Sequence, residues 1–128
     1  MSDIVIGLQY GAEGKGKVIK CLLDSNNYAL SVRFNGGPNA GHTIYKNGRK
    51  IILHQLPIGI LYDNMSCLIG PNCVVDMDKL EKELDMVEDF QENPIHKNLV
   101  LDVGGQKVGY LMYNQFLNEF DDQLIQTF

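Results

Sequence analysis

Gly7-Leu8-Gln9-Tyr10-Gly11-Ala12-Glu13-Gly14-Lys15-Gly16-Lys17 follows directly on the short run Ile4-Val5-Ile6, and its reading decides the fold. A β-branched run ending in glycine has the pattern of a buried strand. After the glycines, Val18, Cys21, Leu22 and Leu23 recur at helical spacing until Asp24-Ser25-Asn26-Asn27 stops them. Strand, glycine-rich loop and helix together form the context that a phosphate cradle requires. From Gly11 the spacing is G-x-x-x-x-G-K, ending at Gly16 and Lys17. Val18 stands where a P-loop carries the Ser or Thr that holds Mg²⁺. Gly11, Gly14 and Gly16 let backbone N–H groups turn towards an anion, Lys15 and Lys17 add charge, and the helix N-terminus adds its dipole. Glu13 is open between metal ligand, base, partner of Lys15 or Lys17, and cap of backbone amides.

A second glycine segment, Gly36-Gly37-Pro38-Asn39-Ala40-Gly41-His42-Thr43, follows the strand expected over Ala29–Phe34. His42 lies in a glycine-flanked loop at a strand end, where ligands gather in α/β sheets, and it suits a general acid or a phosphate donor. His54 and His96 are read as structural, and Arg33 as an exposed residue at a strand exit, with phosphate contact as its alternative.

Beyond the second segment the chain continues to alternate. Thr43-Ile44-Tyr45 and Ile51-Ile52-Leu53 flank Lys46-Asn47-Gly48-Arg49, and Asn-Gly tolerates the positive φ angles of a type I′ hairpin. Cys67-Leu68-Ile69 and residues 99–103 read as strands. Between them a helix with apolar face Leu80, Leu84 and Val87 is capped by Asp76 or Asp78, and its acidic residues Asp78, Glu81, Glu83, Asp85, Glu88 and Asp89 read as a solvated face. From Lys107 onward Val108, Leu111, Met112, Leu117, Phe120 and Leu124 suggest a helix. The expected class is α/β, a mostly parallel sheet with a P-loop-like strand–loop–helix and one β-hairpin, in a single domain over residues 1–128.

Composition narrows the function. With 128 residues, 45% hydrophobic and 21% charged, the chain is that of a globular protein with a real core. A net charge of −5 and the lack of a basic run argue against general nucleic-acid binding. Cys21, Cys67 and Cys73, widely spaced and odd in number, fit reduced thiols rather than a disulfide framework or a zinc site. No signal-like segment precedes the first strand and no apolar run approaches about 18 residues, so the expectation is a soluble, cytoplasmic protein with no membrane partner (host cytoplasm for a viral source).

Residues 7–17 resemble the N-terminal loop of adenylosuccinate synthetases, usually G-x-Q-W-G-D-E-G-K-G-K. Val32 to Thr43 is similar to the second motif of that family, Leu53 to Leu61 to the stretch after it, and Ile69 to Asp76 to the next; order and spacing agree over about residues 4–90. The resemblance implies the N-terminal part of a larger synthetase fold. It implies a ligase that phosphorylates the O6 of a purine monophosphate from a nucleoside triphosphate, usually GTP, and displaces the phosphate with aspartate. Gly11, Ala12, Glu13, Gly14, Lys15, Gly16 and Lys17 would then hold the triphosphate together with Gly41, His42 and Thr43. Ala12, Asn39, Ala40 and Gly41 would contact the purine monophosphate, and the Gly41 carbonyl would ligate Mg²⁺. Lys15 would offset transition-state charge, and His42 would be the acid that stabilises the leaving group. A homodimer is implied as well.

Two departures from the family pattern carry meaning. Ala12 replaces the aspartate that takes the proton from purine N1 and ligates Mg²⁺, and Tyr10 replaces tryptophan. Phage 2-aminoadenylosuccinate synthetases, which use dGMP, also carry a small residue in place of the aspartate, and a purine 2-amino group needs that room. Ala12 therefore points to dGMP rather than IMP as acceptor, in a 2-aminoadenine pathway, with ATP or dATP joining GTP as candidate donors. The family also continues for some hundreds of residues with further nucleotide- and aspartate-binding loops, and beyond about residue 95 the match ends. The alternatives are a non-catalytic nucleotide-binding relative and a part of an ordinary IMP-using enzyme.

Overall fold

The computed structural model describes residues 2–8, 14–63, 65–88 and 98–110. Helix α1 spans Lys15–Ser25, followed by β1 (Leu30–Gly36), the hairpin β2 (His42–Lys46) and β3 (Arg49–Leu53), and a single 3₁₀ turn over Ile58–Leu61. Strand β4 (Ser66–Cys73), helix α2 (Met77–Glu88), β5 (Leu99–Val103) and β6 (Gln106–Gly109) complete the described elements. The sheet order is β1-β4-β5-β6, with β1 parallel to β4 and β4 parallel to β5, so the mostly parallel α/β expectation holds. The hairpin forms its own two-stranded sheet.

Local chemistry accounts for the boundaries. Asn47 (φ 53) and Gly48 (φ 74) close the hairpin with two consecutive left-handed residues, as a type I′ turn demands. Asp76 is the α2 cap: its Oδ1 accepts the Lys79 amide at 3.1 Å. Leu80, Leu84 and Val87, each fully buried, form the helix face that covers the core, and each contributes roughly 1.5–3 kcal/mol of burial. On β4 and β5 the alternate residues Cys67, Ile69, Leu99 and Leu101 are buried, joined by Leu53, Leu56, Ile58, Ile60 and Leu61 from β3 and the turn beyond it. Burial pushes the Cys67 thiol up to about 12, so it behaves as a small hydrophobe. Cys73 is buried too, whereas Cys21 is exposed.

Three expectations are corrected. Residues 4–6 form no strand and join no ladder, with Ile4 and Ile6 at 78% and 61% exposure. A β-branched run becomes a strand only when an edge receives it, and no described strand pairs with this one. Lys107 and Val108 lie in β6, antiparallel to β5, rather than in a helix. Gly104 (φ 58) and Gly105 (φ 95) make a two-residue reversal there that overrides the apolar spacing; the rest of the tail expected as helix lies outside the described residues. Glu83 is 6% exposed, not on a solvated face, while Asp78, Glu81, Asp85 and Glu88 are exposed as expected. Asp89 lies outside the described residues.

Candidate functional site

Helix α1 starts without a side-chain cap. Gly14 occupies its N-cap position at φ 75, ψ 19, and the first turn carries no acidic residue. The first-turn amides therefore keep their capacity to bind an anion, beside a half-buried Lys15 and an exposed Lys17. Gly11, Ala12 and Glu13 lie outside the described residues, as does Tyr10.

Gly16 is buried because α1 lies directly on the start of β2. A Cβ on Gly16 would sit 3.2 Å from the His42 Cβ. This contact joins the two glycine segments, so Lys15 and His42 lie on one surface. Burial lowers the His42 pKa, and the nearby Arg33 and Lys15 cations lower it further; Glu83 opposes and His54 reinforces the shift. The imidazole is therefore neutral at pH 7, in surroundings that favour an anion.

The second segment is held by two side chains. Arg33, half-buried rather than a free strand-end residue, donates Nη2–H to the Gly37 carbonyl at 2.6 Å, Nε–H to the Asn35 carbonyl at 3.3 Å, and Nη1–H to the His54 carbonyl. The His54 Nδ1 lies 2.6 Å from the Ala40 carbonyl. A carbonyl only accepts, so Nδ1 carries the proton. The same ring lies under Gly41, where a Cβ would meet Cε1 at 3.8 Å. Gly36, at φ 100, turns the chain out of β1 into the loop, while its carbonyl still accepts the Val74 amide at 2.8 Å. Asn39 and Gly41 are exposed, Ala40 and Thr43 half-buried.

A cleft of about 530 Å³ opens between this loop, β3 and α2, with Pro38, Asn39, His54, Lys79 and Lys82 on its walls. Lys79 and Lys82, one helical turn apart, bring positive charge opposite Asn39. Sequence reading missed both; their i, i+3 spacing was the available signal. Among the described residues no group of three His, Cys, Asp or Glu side chains could hold a metal, and no helix is long and apolar enough to cross a membrane.

The sequence profile of the adenylosuccinate synthetase family matches residues 4–123. The adenylosuccinate synthetase of Cytophaga hutchinsonii is 47% identical over 100 residues, covering 77% of this chain and 22% of that protein. That of Alteromonas mediterranea is 49% identical over 86 residues, covering 67% of this chain and 19% of the relative. The fully ligated adenylosuccinate synthetase of Plasmodium falciparum superposes with a TM-score of 0.64 at 41% identity, over 74% of this chain and 21% of its own. The chain thus spans about a fifth of the length of the relatives it matches.

Proposed function

The chain belongs to the adenylosuccinate synthetase family of purine-biosynthetic ligases, and on that premise we propose that it carries the phosphate-cradle and monophosphate-binding part of such a ligase. The observation that carries the proposal is the packing of Gly16 on His42, which joins the anion-binding helix start to the Asn39–His42 loop. In this reading the α1 amides, Lys15 and Lys17 hold the triphosphate of GTP, ATP or dATP, together with Gly11, Ala12, Glu13, Gly14, Gly41, His42 and Thr43. Asn39, Ala40 and Gly41, together with Ala12, hold the purine monophosphate.

The purine N1–H gives up its proton to water as the bond from the γ-phosphorus to its bridging oxygen breaks and the O6–phosphorus bond forms, leaving a nucleoside diphosphate. The aspartate amine then attacks C6 and releases phosphate. Lys15 offsets charge on the transferring group, and the neutral His42 donates its N–H to the leaving oxygens. Mg²⁺ would neutralise phosphate charge. The Gly41 carbonyl as a protein ligand would fit a cation that takes most of its ligands from phosphate oxygens and water.

Ala12 sets the acceptor. A methyl group leaves room for a purine 2-amino group and can neither accept the N1 proton nor bind metal, so the reading favours dGMP over IMP and a place in 2-aminoadenine synthesis. A homodimer belongs to the same reading. Ala12 also favours a second one, a nucleotide-binding protein without turnover, because no base stands at that position.

Incubation with aspartate, Mg²⁺, dGMP or IMP, and ATP, dATP or GTP tests the proposal. Succinylated product from dGMP supports it, and product from IMP alone moves the acceptor. Tight nucleotide binding without product selects the second reading, and absence of binding removes both.

A further inference from the structure

We propose that Glu83 is a positioning residue for the purine-monophosphate loop, acting through His54 and Arg33 rather than by touching nucleotide; the inference rests on the reading of residues 39–42 given above. Glu83 lies on α2 at the inner wall of the cleft, with 6% exposure. Its Oε1 accepts the amides of His54 at 3.0 Å, Gln55 at 3.1 Å and Leu56 at 3.0 Å, and its Oε2 accepts Gln55 at 3.2 Å. No cation pairs with it among the described residues. A buried carboxylate is costly unless hydrogen bonds replace its water, and here three consecutive backbone N–H groups do so.

Three successive amides can converge on one anion only if the chain curls around it, which sets the direction in which residue 54 leaves β3. Two connections follow from that curl. The His54 ring reaches the Ala40 carbonyl, and the His54 carbonyl accepts from Arg33, whose other nitrogens hold Asn35 and Gly37. One carboxylate on α2 thereby reaches both ends of the 37–40 turn. Leu53, the residue before His54, pairs with His42 in the hairpin ladder, so the same curl also fixes where β2 begins. Gln55 anchors the far side: its side-chain Nε2–H donates to the Asp76 carbonyl at 3.0 Å and its Oε1 accepts the Asp76 amide at 2.8 Å, tying the curl to the α2 cap.

Glu83→Gln keeps the shape but removes the charge and turns an NH₂ group towards backbone donors. In the full chain the expected result is a shift of the Ala40, Gly41 and His42 amide resonances and of the His54 ring nitrogens. With it, the dissociation constant for dGMP or IMP should rise about ten-fold, with a smaller rise for ATP or GTP, which the α1 amides and lysines also hold. Shifts confined to residues 54–56, or equal weakening for both nucleotide classes, overturn the proposal. His54→Asn retains a donor at the Nδ1 position and is expected to keep the Ala40 and Gly41 resonances, whereas His54→Ala shifts them. This pair decides the matter if Glu83→Gln does not fold, and equal spectra for the two overturn it. If the unaltered chain binds no purine monophosphate, the functional reading of the loop fails, and the resonances still decide the role of Glu83.

Discussion

Gly16 and His42 are packed so closely that a single added methyl group would lie 3.2 Å from the histidine Cβ. One residue belongs to the helix whose N-terminus faces the candidate phosphate site, the other to the first position of the hairpin. Their contact brings the helix start against the start of the hairpin.

Gly16→Ala tests that relationship because two effects oppose each other. Alanine is favoured over glycine in a helix by up to about 1 kcal/mol, less in the first turn where Gly16 lies, so a merely local role predicts no loss of stability. The His42 backbone is held in the ladder opposite Leu53 and cannot retreat freely. The expected outcome is a displaced α1 and a loss of triphosphate affinity of about ten-fold by calorimetry, with helix content retained. A stabilised variant with unchanged affinity would refute the close packing.

The depressed His42 pKa fixes the sign of a pH effect. In the unfolded chain the imidazole titrates near about 6.5, whereas in the folded protein burial, then Arg33 and Lys15, hold it lower. Above the unfolded value both states are neutral and stability is unaffected. As the pH falls below it, the unfolded chain takes up the proton first and the folded state loses stability. Urea unfolding at pH 7.5 and pH 5.5 should show a larger drop for the native sequence than for His42→Asn.

Gly59 lies where no side chain fits. A Cβ there would come within 2.3 Å of the Ser31 Cβ and 2.4 Å of the Met65 Sδ, between the 3₁₀ turn and β1. Gly59→Ala is expected to cost about 3 kcal/mol or more by overpacking, read from the denaturation midpoint.

Tyr62 ties the C-terminal half of α1 to the turn after the hairpin. Its hydroxyl donates to Asp24 Oδ1 at 2.6 Å, Lys20 donates to Oδ2 at 2.6 Å, and the Lys46 ammonium lies 3.7 Å above the ring. The hydroxyl bond joins two elements, while the Lys20 pair spans one helical turn at the surface. Tyr62→Phe should destabilise by about 1 kcal/mol and Lys20→Ala by no more than about 0.5, and chemical denaturation separates the two.

Much of this was legible before any coordinates. Asn47-Gly48 announces its turn because only left-handed residues close such a hairpin, and Leu80, Leu84 and Val87 announce their helix by spacing alone. The Gly104-Gly105 reversal was equally readable, but the apolar spacing after Lys107 masked it. Glu83 and Arg33 were not readable. Charged residues on a helix or at a strand end read as solvated, and only the chain segments packed against them reveal their amide and carbonyl partners.

The sequence by itself determined the family, the two glycine segments and Ala12, because these features are written in residue type and local spacing. The tertiary structure alone decided that Gly16 touches His42 and that α2 supports the Asn39–His42 loop through Glu83 and His54. Those contacts join residues far apart in the chain, and local propensity carries no information about which buried charge finds which amide.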